Sequence, residues 1–286
     1  MPFELYVDSR FRKDTGGSNS DSEFTVELPH PIQVKGKAFV DTILVPNSFY
    51  VIRAWENDQL HVRETLDNAS TYRICTIAQG QYNAITLKDA VLEALQTGKT
   101  IPGDYTVTYY VPINKLIIGT LDAAASFHIY PTSWLKANSG TWNTMSFASM
   151  ASPPYPIIDP SNLMDAGSVT GFATGASIIS GDISTVVTAP DVVNTQPYHQ
   201  LFLRSSLGNG YDAIGPDGSS DTCRRIVCQV PLNDIIIDQH GLPHDSVTIG
   251  NREISSLSFT LTDCFGKIVD TNGHHISFSI IFLENE

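Results

Sequence analysis

Histidines, cysteines, carboxylates and glycine turns are the residues through which this chain could do chemistry. Cys75, Cys223, Cys228 and Cys264 form none of the Cys-x-x-Cys pairs that a zinc knuckle uses. They read as reduced, half-buried thiols of a protein made in a cytosol. His274 and His275 are adjacent, so on a strand they would point to opposite faces, whereas a cupin-type metal site needs His-x-His with a nearby Glu. His240 and His244 flank Gly241-Leu242-Pro243, which is a turn and not a helix face. Asp263 and Asp270 lack EF-hand spacing. Gly208-Asn209-Gly210 and Gly215-Pro216-Asp217-Gly218 lie between strand patterns, so they read as turns and not as a phosphate cradle opening a helix. There is no Gly-x-Ser-x-Gly elbow and no His-Glu-x-x-His. No catalytic, cofactor-binding or metal-binding residue is assigned, no cofactor is expected, and the chain reads as a non-enzyme. A Ser-His-Asp triad assembled only in space stays open at this level.

The 286 residues are 42% hydrophobic and only 16% charged, against about 25% charged in ordinary globular chains. That balance excludes a wholly disordered chain. Seventeen basic against 30 acidic residues leave a net charge of −13. Duplex nucleic acid demands clustered Lys and Arg, and no dense basic run occurs, so no direct nucleic-acid partner is expected. No apolar run approaches the roughly 18 residues of a membrane helix, so no transmembrane segment is expected. The start, Met1-Pro2-Phe3-Glu4-Leu5, lacks the basic-then-apolar pattern of a secretory signal.

Residues 1–21, with Arg10, Arg12, Lys13 and a Gly/Ser/Asn-rich stretch, read as a flexible N-terminal arm. Phe24–Leu28 alternates as a half-buried strand that Pro29 and Pro31 should end. A second strand is expected over about 37–45, closed by Pro46-Asn47-Ser48, with short strands at Gln59–Arg63 and Thr71–Ile77. Ile85–Gln96 is the clear helix: Thr86 is its candidate N-cap, Leu87, Val91, Leu92 and Leu95 share a face, and Gly98 stops it. Tyr105–Tyr109 and Lys115–Ile118 read as a hairpin across Pro112-Ile113-Asn114. Further strands are expected at Phe127–Tyr130, Leu201–Leu203 and Arg225–Val230. Leu257, Phe259 and Leu261 alternate with Ser256, Ser258 and Thr260, and Ile276, Phe278, Ile280 and Phe282 form the closing strand. Between 133 and 196 the pattern weakens. Ala151–Thr174 reads as a projecting insertion whose deletion should leave the rest folded. Together these imply an all-β, antiparallel single jelly-roll sandwich over 22–286, with one short helix and an inserted loop region or small insertion domain at about 151–174.

Several stretches, in order, narrow this further: Asp8-Ser9-Arg10, Ser22–Pro29, Val45–Tyr50, Gly80–Asn83 leading into the helix, Tyr105–Tyr109 with Lys115–Ile118, Leu201–Ser206, the Gly215–Asp221 turn and Leu257–Asp263. The set resembles the penton, or minor capsid, proteins of double-jelly-roll DNA viruses of the virophage, polinton-like virus and adintovirus type. The resemblance implies a structural virion protein made in the host cytoplasm or a virus factory. It implies a homopentamer at the icosahedral fivefold vertex, contacts to the major capsid protein and loops that meet a host receptor. It carries no catalytic residues. Within it, Arg10, Arg12 and Lys13 are candidates for contact with neighbouring capsid surfaces. The alternative is a jelly-roll attachment protein binding a receptor or glycan, for which exposed Trp134, Trp142 and Tyr155 would supply a sugar platform.

Overall fold

The computed structural model describes residues 3–13, 20–139, 163–175, 177, 179–207, 216–228, 235–238 (backbone alone) and 246–283. The chain forms antiparallel sheets with few helices, an all-β architecture of jelly-roll type. It divides into two compact units: unit 1 comprises Met1–Phe49 and Tyr198–Glu286, and unit 2 is Tyr50–Pro197. The expected single 22–286 domain with a short insertion is therefore corrected. The inserted body is far longer than 151–174, because the strand patterns from 59 to 130 close a core of their own. Within unit 1 the rings of Phe49 and Tyr198 meet edge to face at 5.1 Å, tying together the two chain segments that make it.

Unit 1 is built on one long strand. β1 is Phe3–Asp8 and β2 is Glu23–Pro46. In the second segment follow β10 (Gln200–Ser205), β11 (Thr222–Val227), β12 (Ile235–Asp238), β13 (Val247–Thr262) and β14 (Ser277–Leu283). The strand order is β1-β14-β2-β13-β10-β11, with β12 also on β2. β2 serves two layers. Its first two thirds pair with β13, from Glu23↔Thr260 to Ala38↔Val247, and its last third pairs with β14 and β12. The layers face each other across Phe259 of β13 and Phe278 of β14, whose rings meet at 4.8 Å although their strands are not paired. Leu257, Phe259 and Leu261 are buried as their alternation requires, and so are Ile276, Phe278, Ile280 and Phe282.

Two expectations fail in unit 1 for physical reasons. Pro29 and Pro31 do not end a strand. They sit where the β2–β13 register shifts, between Glu27↔Ser256 and Ile32↔Ile254, so their missing N–H groups break no ladder bond. Nor is all of 1–21 an arm. Phe3–Asp8 pairs with β14 along its whole length, Phe3↔Phe282 to Asp8↔Ser277, and Val7 is buried in the core.

Unit 2 holds β3 (Gln59–Leu66), β4 (Ala69–Thr76), α1 (Ala84–Gln96), β5 (Tyr105–Tyr110), β6 (Lys115–Thr120), β7 (Ala125–Ile129), α2 (Thr132–Ala137), β8 (Ile179–Asp182) and β9 (Val187–Thr188). They form a β4-β3-β7-β8 sheet and a β5-β6-β9 sheet around one core with α1. The cap of α1 is Asn83, not Thr86. The Asn83 side chain accepts from Ile85 and Thr86 N–H at 2.9 Å, while Thr86, at the third helical position, accepts back from Asn83 N–H at 3.0 Å. The buried stripe is Leu87, Val91, Ala94 and Leu95, with Leu92 only half-buried.

The Glu64 side chain is fully buried opposite Arg73, which is 9% exposed. Glu64 also accepts from Thr100 N–H and Oγ1 at 2.6 Å and from the Tyr105 hydroxyl at 2.8 Å. Arg73 reaches the Leu95 carbonyl at 3.2 Å, satisfying the C-terminal end of α1. This network locks β3, β4, α1 and the following loop into one arrangement.

The expected 151–174 projection is corrected over its second half, while 151–162 lies outside the described residues. Ala166, Val169, Thr170 and Phe172 are buried. Gln59 N–H donates to Met164 O at 2.9 Å, and Ala166 N–H donates to Gln59 O at 2.7 Å. The small residues that look loop-like are what permit this approach, since a Cβ on Gly167 would collide with the Thr132 hydroxyl and the Asp165 carboxylate. Deleting 151–174 would remove part of the unit 2 core.

Candidate assembly surface

The surface that stands out in unit 1 begins at β1. The Asp8 side chain accepts from Arg10 N–H at 2.9 Å and pairs with the Arg10 guanidinium at 2.6 Å, which starts a single 3-10 turn over Ser9–Phe11. The guanidinium holds the Asp8 carboxyl below the usual carboxylate range. Ser9 N–H donates to Ile276 O at 3.0 Å, and Lys13 N–H reaches Thr25 O at 2.7 Å. The chain thus crosses from β1 to the first half of β2 and leaves a groove of about 830 Å³ beside β1.

Val7 and Phe278, both buried, form part of its lining together with half-buried Leu5, Val26 and Leu28. On its rim stand Tyr6 and Phe11, each 76% exposed. Two large aromatics this exposed beside an apolar groove are unusual on a surface that faces water alone. The Tyr6 hydroxyl bonds the Glu4 carboxylate, which raises the hydroxyl's pKa. β1 has β14 on one side and no strand on the other among the described residues. The groove is an open seam of the sandwich, flanked by a strand with unused backbone hydrogen-bonding groups.

The residues singled out from sequence are distributed differently. Arg10, Arg12 and Lys13 are not free cations; they pair with Asp8, Asp21 and Glu27. Asp263 accepts from Phe265 N–H at 2.8 Å and Lys267 N–H at 3.0 Å, and Asp270 from Asn272 N–H at 2.7 Å, so both carboxylates shape turns. His275 Nδ1 lies 2.9 Å from Asp21. His240, His244, Trp142, Tyr155 and Gly208–Gly215 lie outside the described residues. Trp134 packs half-buried against Tyr130, ring centroids 5.0 Å apart, which leaves it a poor sugar platform. All four cysteines are free, three of them buried and Cys264 exposed.

Among the described residues no three His, Cys, Asp or Glu side chains converge as a metal site, and no helix is long and apolar enough to cross a membrane. The groove was not anticipated because 1–21 read as an arm. The signal was present: Phe3, Leu5 and Val7 alternate with Glu4, Tyr6 and Asp8, the period of a half-buried strand.

No family model matches this chain, and no curated protein matches it. Among solved structures it is similar to the mavirus penton protein, at 9% identity and a TM-score of 0.49, with all of both chains covered.

Proposed function

We propose that this chain is a structural virion protein that builds the fivefold vertex of an icosahedral DNA virus as a homopentamer seated among major capsid proteins, and that it is not an enzyme. The observation that carries the reading is the open seam beside β1, an apolar groove with Tyr6 and Phe11 on its rim, which a neighbouring subunit would cover. The ordered sequence resemblance to penton proteins points the same way, and so does the antiparallel jelly-roll architecture in which that resemblance sits. Five copies close a ring through two different faces of each copy, which needs complementary surfaces and no reactive cleft.

Light scattering on the purified chain tests this. A solution mass of five times 31.2 kDa is expected. A stable dimer or trimer would move the reading to an attachment protein. One feature favours that second reading: Trp55, in unit 2, is 79% exposed and holds a left-handed backbone with φ 66°, which a side chain of this size adopts at a cost. An exposed tryptophan held this way suits receptor contact.

A further inference from the structure

Unit 1 has a second open edge. β11 ends the strand order opposite β1 and pairs only with β10 among the described residues. On its solvent face stand Arg225, exposed, and Val227, 45% exposed. Arg225 forms no ion pair with any described residue. β1 presents the opposite character. Glu4 and Tyr6 are exposed on one face, with half-buried Asp8 beside them. Because Ser9 N–H bonds back to Ile276 O, the antiparallel alternation turns the N–H groups of Val7 and Leu5 toward β14 and those of Tyr6 and Glu4 outward.

We propose that β1 of one copy adds as a strand to β11 of a second copy, with Arg225 of the second copy set among the carboxylates of β1 and Val227 near Tyr6. This rests on the pentamer reading and deepens it by naming the two faces. The reasons are complementarity and closure. β1 is acidic and β11 carries an exposed cation; with Asp8 held by Arg10, the β1 carboxylate that forms no ion pair among the described residues is Glu4, and registers that set Val227 near Tyr6 can place Arg225 beside it. The two edges lie at opposite ends of one strand order, so head-to-tail addition uses a different face of each copy, as a ring requires. Addition also satisfies two rows of backbone groups that would otherwise invite unregulated pairing.

Charge reversal decides it on the full chain. Glu4→Arg and Arg225→Glu are each expected to weaken association about tenfold or more, and the two together to restore it. Tyr6→Pro, which removes an outward N–H that no described strand of the same copy uses, is expected to leave a folded monomer whose far-UV circular dichroism matches wild type. A wild-type pentamer indifferent to all three changes overturns the edge pairing and leaves the pentamer reading standing. So do single reversals that weaken assembly without rescue in combination. A wild-type chain that stays monomeric at every concentration overturns both.

Discussion

Replacing Phe259 with alanine is expected to cost unit 1 about 3–5 kcal/mol. The ring is 1% exposed. It touches Phe24 at 5.7 Å from the neighbouring strand and Phe278 at 4.8 Å from the opposite layer. Losing the burial alone costs about 2–3 kcal/mol, and the cavity between layers that cannot collapse fully supplies the rest. The assay must report on unit 1, and all three tryptophans lie within residues 50–197, so their fluorescence reports on unit 2. Hydrogen exchange of β13 and β14 amides is the direct probe. Protection there should fall roughly a hundred- to several-thousandfold. Phe265→Ala, at a ring 84% exposed, is the control and should change stability by under about 0.5 kcal/mol. A loss below about 1 kcal/mol at Phe259 would mean the two layers do not meet through this ring.

In unit 2, Arg73→Met should cost about 3–5 kcal/mol because it strands the buried Glu64 carboxylate, and Arg73→Met with Glu64→Gln should recover much of that. Urea unfolding followed by tryptophan fluorescence measures both; a single variant as stable as wild type would refute the pairing. Burial pushes the Asp165 carboxyl up to about 6, against hydrogen bonds from Thr132 and Gly167 that favour the ionised form. A raised carboxylate contributes stability below the unfolded value near 3.8 that is lost as pH rises through 6. Asp165→Asn should therefore gain up to about 3 kcal/mol on wild type between pH 4 and pH 8. A melting-temperature difference flat across that range would refute it.

The strands of unit 1 that face water on one side were legible because their pattern is local. Ser256–Leu261 and Ile276–Phe282 alternate cleanly, and the core-facing residues are the ones the alternation names. Helix α1 was legible for the same reason, its cap misplaced by three residues because Asn83 and Thr86 are both good capping residues and only the backbone decides between them. The order of strand-forming stretches was also enough to raise the penton resemblance. What tertiary structure decided was long-range pairing. Phe3–Asp8 is a strand because β14, more than 260 residues away, supplies its partner. Pro29 and Pro31 are tolerated because the register shifts there. Ala166, Val169 and Phe172 are core because Gly167 lets their segment approach Thr132 and Ala166 N–H bonds Gln59 O. Likewise, the groove beside β1 exists only where distant segments meet, and the Glu64–Arg73 pair, made within one hairpin, is buried and satisfied only because Leu95, Thr100 and Tyr105 close on it. Alternation and capping are written in neighbouring residues, whereas a partner strand, a close approach and a buried ion pair depend on contacts that no local window contains.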